Sequence, residues 1–207
     1  MKKLLHIIAT PREDESRTLQ VSNSFLEVFK DKHPDWAIEE LNLFKEELPS
    51  LTLKRVDGKY VLLGGKDLSG EFKEAWEEII SHIERFLAAD AYLLSAPMWN
   101  FSIPYKLKHY IDIIVQPKYL FRYTEKGPEG LVKDKKMAVI TSRGGDYSAG
   151  GMRQYDMQEP YLRAVFGFTG ITDISFINAQ PMDMGLELQK RKIEETQATV
   201  RKIAENF

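Results

Sequence analysis

Cysteine is absent from the 207 residues, which excludes disulfides, thiolate nucleophiles and cysteine metal sites. That absence suits the cytoplasm, and it leaves any redox chemistry to a cofactor. No apolar run approaches the ~20 residues needed to cross a bilayer. The opening MKKLLHIIATPRE has a basic start but too short an apolar core for a signal peptide, so it reads as a first strand. Neither charge sign dominates: 29 Lys and Arg against 31 Asp and Glu leave a net charge of -2. With the basic residues scattered, there is no electrostatic footprint for nucleic acid. The signatures G-x-x-x-x-G-K-[ST] and G-x-G-x-x-G are both missing, which disfavours a nucleoside triphosphatase and a dinucleotide-binding Rossmann domain. His6, His33, His82 and His109 make no His-Glu-x-x-His set, so no metal site is expected.

What is present points to an α/β fold. With 43% hydrophobic residues the chain can bury one sizeable core, and it is read as a single domain over residues 1–207. Apolar runs at Leu4–Ala9, Ala91–Ala96 and Met137–Thr141 lack alternation, as strands buried on both faces do. Ala37–Leu43 and Ile174–Ala179 are more mixed and fit positions nearer the edges. Helical spacing joins Val21, Phe25 and Phe29; then Trp76, Ile79, Ile83 and Phe86; then Ile193, Val200 and Ile203. Ser16 is the expected cap of the first helix, and Asp67 or Ser69 of the second. Strands alternating with helices predict a doubly wound, five-stranded parallel sheet in the order 2-1-3-4-5. Two connections are long: Phe44–Lys66, which is either a cover for a site or a loose excursion, and Pro117–Gly130.

In such a sheet ligands sit beyond the carboxyl ends of the strands, where the strand order reverses. Three loops meet there. The first, ATPREDESRTLQ, brings Thr10 and then Ser16, Arg17 and Thr18 at a helix start, which is either an ordinary capped helix or a phosphate cradle. Glu13, Asp14 and Glu15 oppose a phosphate unless they point into solvent. The second, APMWNFSIP, places Met98, Trp99, Asn100 and Phe101 between Pro97 and Pro104; these side chains either plug the sheet top or support a flat ring. The third, TSRGGDYSAGG, offers Ser142 and Arg143 for a polar ring edge, with Gly144 and Gly145 either allowing close approach or marking a turn. A phospho-receiver domain would need acidic residues where Ala9-Thr10-Pro11 and Ser95-Ala96-Pro97 stand.

APMWNFSIP with LKHYID, then FRYTEKGPEGL, then KKMAVITSRGG strongly resemble the FMN-dependent NADH:quinone oxidoreductases, also called FMN-dependent NADH azoreductases. The resemblance runs over nearly the whole chain and implies a flavodoxin-like fold. It implies FMN, with its phosphate at Thr10, Ser16, Arg17 and Thr18, and its ring between Met98, Trp99, Asn100, Phe101 and Ser142, Arg143, Gly144, Gly145. It also implies NADH or NADPH as donor, hydride relay to a quinone or azo acceptor, and a homodimer in which Phe121 and Tyr123 line the substrate side. Trp99 replaces the Tyr of many members. A flavodoxin-type one-electron carrier shares the fold and cofactor, but carriers of that kind are usually far more acidic. A non-catalytic scaffold would bind no flavin.

Overall fold

The computed structural model describes residues 1–207. In chain order the elements are β1 Lys3–Ile8, α1 Arg17–Lys32, β2 Ala37–Asn42, α2 Leu53–Leu63, α3 Glu71–Leu87, β3 Ala91–Ser95 and α4 Tyr105–Ile114. They continue with β4 Phe121–Thr124, β5 Gly127–Gly130, β6 Lys136–Ser142, α5 Glu159–Thr169, β7 Asp173–Ala179 and α6 Leu186–Ala204. Five strands form a parallel sheet in the order β2-β1-β3-β6-β7, while β4 and β5 pair as a separate antiparallel hairpin. This is the predicted 2-1-3-4-5 order.

The strands look apolar throughout because both faces are covered. Leu5, Ile7, Tyr92, Leu94, Met137 and Val139 enter one core, while Leu4, Leu93, Ala138, Ile140 and Ile177 enter the other. Alternate residues of one strand thus feed opposite layers. On the second face, Val21, Phe25 and Phe29 of α1 pack with Val200 and Ala204 of α6. On the first, Trp76, Ile79, Ile83 and Phe86 of α3 join Leu107 and Ile111 of α4 and Leu162 and Phe166 of α5.

Two details depart from the sequence reading, and a third, α5, supplies the expected crossover helix where no apolar stripe had been named. Neither Asp67 nor Ser69 caps α3: Gly70 stands at the cap with no side-chain bond, and Asp67 instead meets Lys118 at 2.7 Å. The Phe44–Lys66 connection is not loose, since it contains α2, capped by Thr52. This helix docks through Trp76, whose indole donates to Arg55 O at 2.9 Å, and Gly58 leaves room for the indole where a Cβ would strike it. Finally, α5 carries its own apolar stripe and ends at Gly170 in a left-handed conformation (φ 106°), the usual helix-stopping geometry. Val132 N donates to Thr169 O at 2.9 Å, fixing the hairpin's exit to the end of α5.

Because β1 pairs in parallel with both β2 and β3, the strand order reverses at β1 and β3. The carboxyl ends of β1, β3, β6 and β7 share one edge of the sheet. α1 is aimed at that edge by buried hydroxyls: Ser22 Oγ donates to Thr18 O at 2.9 Å and lies 2.7 Å from Ser95 Oγ, which lies 2.8 Å from His6 Nε2.

Candidate functional site

The first loop meets the sheet edge as a capped helix start. Ser16 Oγ accepts from Leu19 N at 3.3 Å, and the first-turn amides of α1 have no acceptor within the helix. Those amides and the helix dipole favour an anion. The acidic run does not block them. Glu13 pairs with Lys45 at 2.7 Å and Glu15 with Arg12 at 3.3 Å, all four side chains being mostly exposed. The Lys45 hydrogen bond holds the Glu13 carboxyl below its ordinary value. None of Glu13, Asp14 and Glu15 lines the cavity beside the helix start, whereas Arg12 does.

That cavity, about 210 Å³, is walled by Thr10, Ser16 and Arg17 from the first loop, Met98 and Trp99 from the second, and Ser142, Arg143 and Gly144 from the third. Thr18 lies behind the wall: its hydroxyl is fully buried and sits 2.7 Å from Ser142 Oγ, tying α1 to the end of β6. Gly145 lines neither this cavity nor the open one beyond Trp99; a Cβ there would meet the Tyr147 ring at 3.5 Å.

The second loop is a tight hairpin turn. Trp99 N donates to Ser102 O at 3.0 Å and Ser102 N to Trp99 O at 2.9 Å, with Asn100 (φ 47°) and Phe101 (φ 69°) at its tip. A two-residue turn with positive φ at both centres favours Asn followed by Gly. Phe in the Gly place costs about 1–2 kcal/mol. Strain of this kind collects at functional sites. The turn exposes Trp99 and Phe101, and it splits the aromatics into two walls. Trp99 meets Phe44 and Tyr105, with centroids 5.9 and 6.5 Å away, while Phe101 meets Tyr155 at 5.4 Å. Trp99 and Asn100 open onto a larger space of about 690 Å³ that also touches Tyr105, His109 and Tyr161. His109 is committed elsewhere, donating from Nε2 to Pro49 O at 3.0 Å.

The third loop is braced from beneath. Arg143, 1% exposed at its side chain, pairs through Nη1 with Asp156 at 2.8 Å and donates from Nε to Gln158 Oε1 at 3.1 Å and Thr141 Oγ1 at 3.2 Å. Gln158 in turn donates to Ala96 O at 3.2 Å and Pro97 O at 3.0 Å. Met98 N closes the gap to Ser142 O at 2.9 Å, so the exits of β3 and β6 are one unit. Arg143 thus directs Nε and Nη1 to the scaffold rather than to a ring edge, while its buried Nη2 has no partner. Sequence reasoning missed Asp156, Gln158, Met182 and Asp183. The signal for the last two was Gln180-Pro181 with Gly185 after the fifth strand, which turns at this same sheet edge.

Two observations fit the small cavity to an anionic cofactor end: the free first-turn amides and the guanidinium groups of Arg12 and Arg17. A family model described as a flavodoxin-like fold matches residues 2–204. An FMN-dependent NADH:quinone oxidoreductase from Desulfotalea psychrophila is 41% identical over 182 residues, covering 87% of this chain and 86% of the relative. The chain belongs to the FMN-dependent NADH:quinone oxidoreductase family. Solved structures agree with that placement. An azoreductase from Bacillus anthracis superposes with a TM-score of 0.91 at 31% identity, covering 100% of both chains. An FMN-dependent NADH-azoreductase from the same species, in complex with FMN, gives 0.84 at 30% identity over 99% of this chain and 100% of the other. Phe121 and Tyr123, which the resemblance places on the substrate side, fall outside this cavity in the single chain. They line a separate apolar groove of about 520 Å³ with Leu51, Val56 and Tyr60. No helix is long and apolar enough to cross a membrane.

Proposed function

We propose that this chain reduces quinones and azo compounds with NADH through FMN held at the strand-end cavity. The observation that carries the reading is the convergence of a phosphate-ready helix start with Met98 and Trp99 of the aromatic loop on one cavity, in a chain of this family. Thr10, Ser16, Arg17 and the first-turn amides of α1 would hold the phosphate, with Arg12 adding charge. Thr18 would act from behind the wall by orienting Ser142. Met98, Trp99, Asn100 and Phe101 would flank the ring on one side, and Ser142 and Gly144 on the other, with Gly145 shaping the turn behind them. Arg143 would position the third loop through its scaffold bonds. Bound FMN supplies two-electron chemistry, taking hydride from NADH and passing it to the acceptor. The chain's own task is to seat the ring, leave one face open to flat partners and surround it with backbone donors.

Residues 1–207 are read as one FMN-binding domain. A homodimer is supported by the apolar groove, where Tyr60 and Tyr123 are each about two-thirds exposed beside Leu51 and Leu63. A second copy covering that groove would bring Phe121 and Tyr123 to the substrate side of an active site. A cysteine-free chain that consumes NADH suits the cytoplasm.

The test is spectroscopic. The protein should bind FMN, NADH should bleach it without oxygen, and a quinone should restore the colour with steady turnover. A protein that takes up no FMN, or whose bound flavin NADH leaves coloured, would end this reading.

A further inference from the structure

Arg17 occupies the first position of α1, at the mouth of the cavity, yet its guanidinium already has a carboxylate. Nη1 donates to Asp183 Oδ1 at 2.5 Å. Asp183 belongs to the segment between β7 and α6, and its backbone is fixed to the third loop. Met182 N donates to Arg143 O at 2.9 Å and Gly144 O at 3.0 Å, and Asp183 N donates to Gly144 O at 3.0 Å. A Cβ on Gly144 would strike the Asp183 carboxylate. Asp183 is therefore built into the cavity wall, and it is the wall's one acidic residue.

A phosphate monoester brings between one and two negative charges near neutral pH and seeks the same guanidinium. We infer that Asp183 is a carboxylate latch that competes with the cofactor's phosphate for Arg17, and so sets how strongly this site prefers a phosphorylated flavin over one without phosphate. The inference rests on the reading of this cavity as the phosphate end of the FMN site. Its sign is opposite to that of the other wall residues: removing the latch charge improves phosphate binding, whereas removing Ser16 or Arg17 weakens it.

The experiment is a pair of fluorescence titrations, with FMN and with riboflavin, on the wild-type chain and on Asp183→Asn. The side chain of Asp183 is 64% exposed, so the isosteric change leaves the melting temperature in place. The FMN Kd should fall about three- to tenfold while the riboflavin Kd stays within about twofold. In an Arg17→Gln background the gain from Asp183→Asn should shrink by more than about half, the coupling expected of a shared partner. An FMN Kd that is unchanged or higher, or a riboflavin Kd that falls equally, overturns the latch. So does a gain undiminished without Arg17, which would reduce Asp183 to plain repulsion. If both flavins bind but their ratio ignores Asp183, only the latch falls; if neither binds, the reading of the site falls with it.

Discussion

The loop after β3 and the loop after β6 leave the same edge of the sheet, yet one carries strain in its own backbone while the other is held from behind by buried charge. At Asn100 and Phe101 two consecutive non-glycine residues take positive φ, and the side chains they present stay exposed. At Arg143 the backbone takes no unusual φ, and the side chain runs inward to Asp156, Gln158 and Thr141. The first arrangement displays groups; the second fixes a position. A flat ring seated between them needs both, because a displayed aromatic is useful only if the opposite wall does not drift. Gln158, bonded to both loops, makes the two arrangements depend on each other.

The comparison breaks most severely at the buried charge. Asp156→Ala leaves the Arg143 guanidinium buried without its carboxylate and should cost about 3–5 kcal/mol in a denaturant unfolding experiment. A loss below about 1 kcal/mol would mean that the brace is no more than a surface pair.

Acid should act on the other side, beneath the β3 loop. Burial pushes the His6 imidazole down from its ordinary 6.5 to about 4, so the unfolded chain binds a proton that the folded chain refuses between those values. Stability from this group is complete above pH 6.5 and is lost as pH falls towards 4, by at most about 3 kcal/mol. Replacing His6 with Asn should flatten the stability profile over that window; a profile as steep as before would assign the acid sensitivity to other groups.

The smallest effect on stability, and the sharpest contrast, belongs to Phe101→Gly. Glycine relieves the positive-φ strain but adds freedom to the unfolded chain, so the net change in unfolding free energy should stay within about 1 kcal/mol. The same chain should bind FMN about tenfold more weakly by titration, since the displayed ring is gone. Equal FMN affinity would show that the strain serves only the fold.

The fold was legible because the central strands are buried on both faces and cannot hide their composition. Ser16 was legible as a cap because its hydroxyl acts within one turn of its own position. The cap of α3 was not, since Asp67 is drawn to Lys118, a residue 51 positions away that no local pattern names. α2 was hidden because Leu53, Val56 and Leu63 face outwards, leaving Leu62 as its main buried anchor and blurring the helical stripe. The loops that meet at the cavity could be found from strand ends alone. What each residue does there could not: Thr18 and Arg143 stand in the expected places but turn inward, and Asp183 arrives from a fourth loop. Such roles depend on which side chain reaches which partner across the sheet edge.

The central claim is that the exits of β1, β3 and β6 together hold FMN. The most direct test is an equilibrium FMN titration of the chain carrying Asn100→Ala with Gly144→Val, alongside the wild type. The account predicts a folded, cooperatively melting protein whose FMN affinity has dropped by about a hundredfold or more. A folded variant that binds FMN as tightly as the wild type would contradict it.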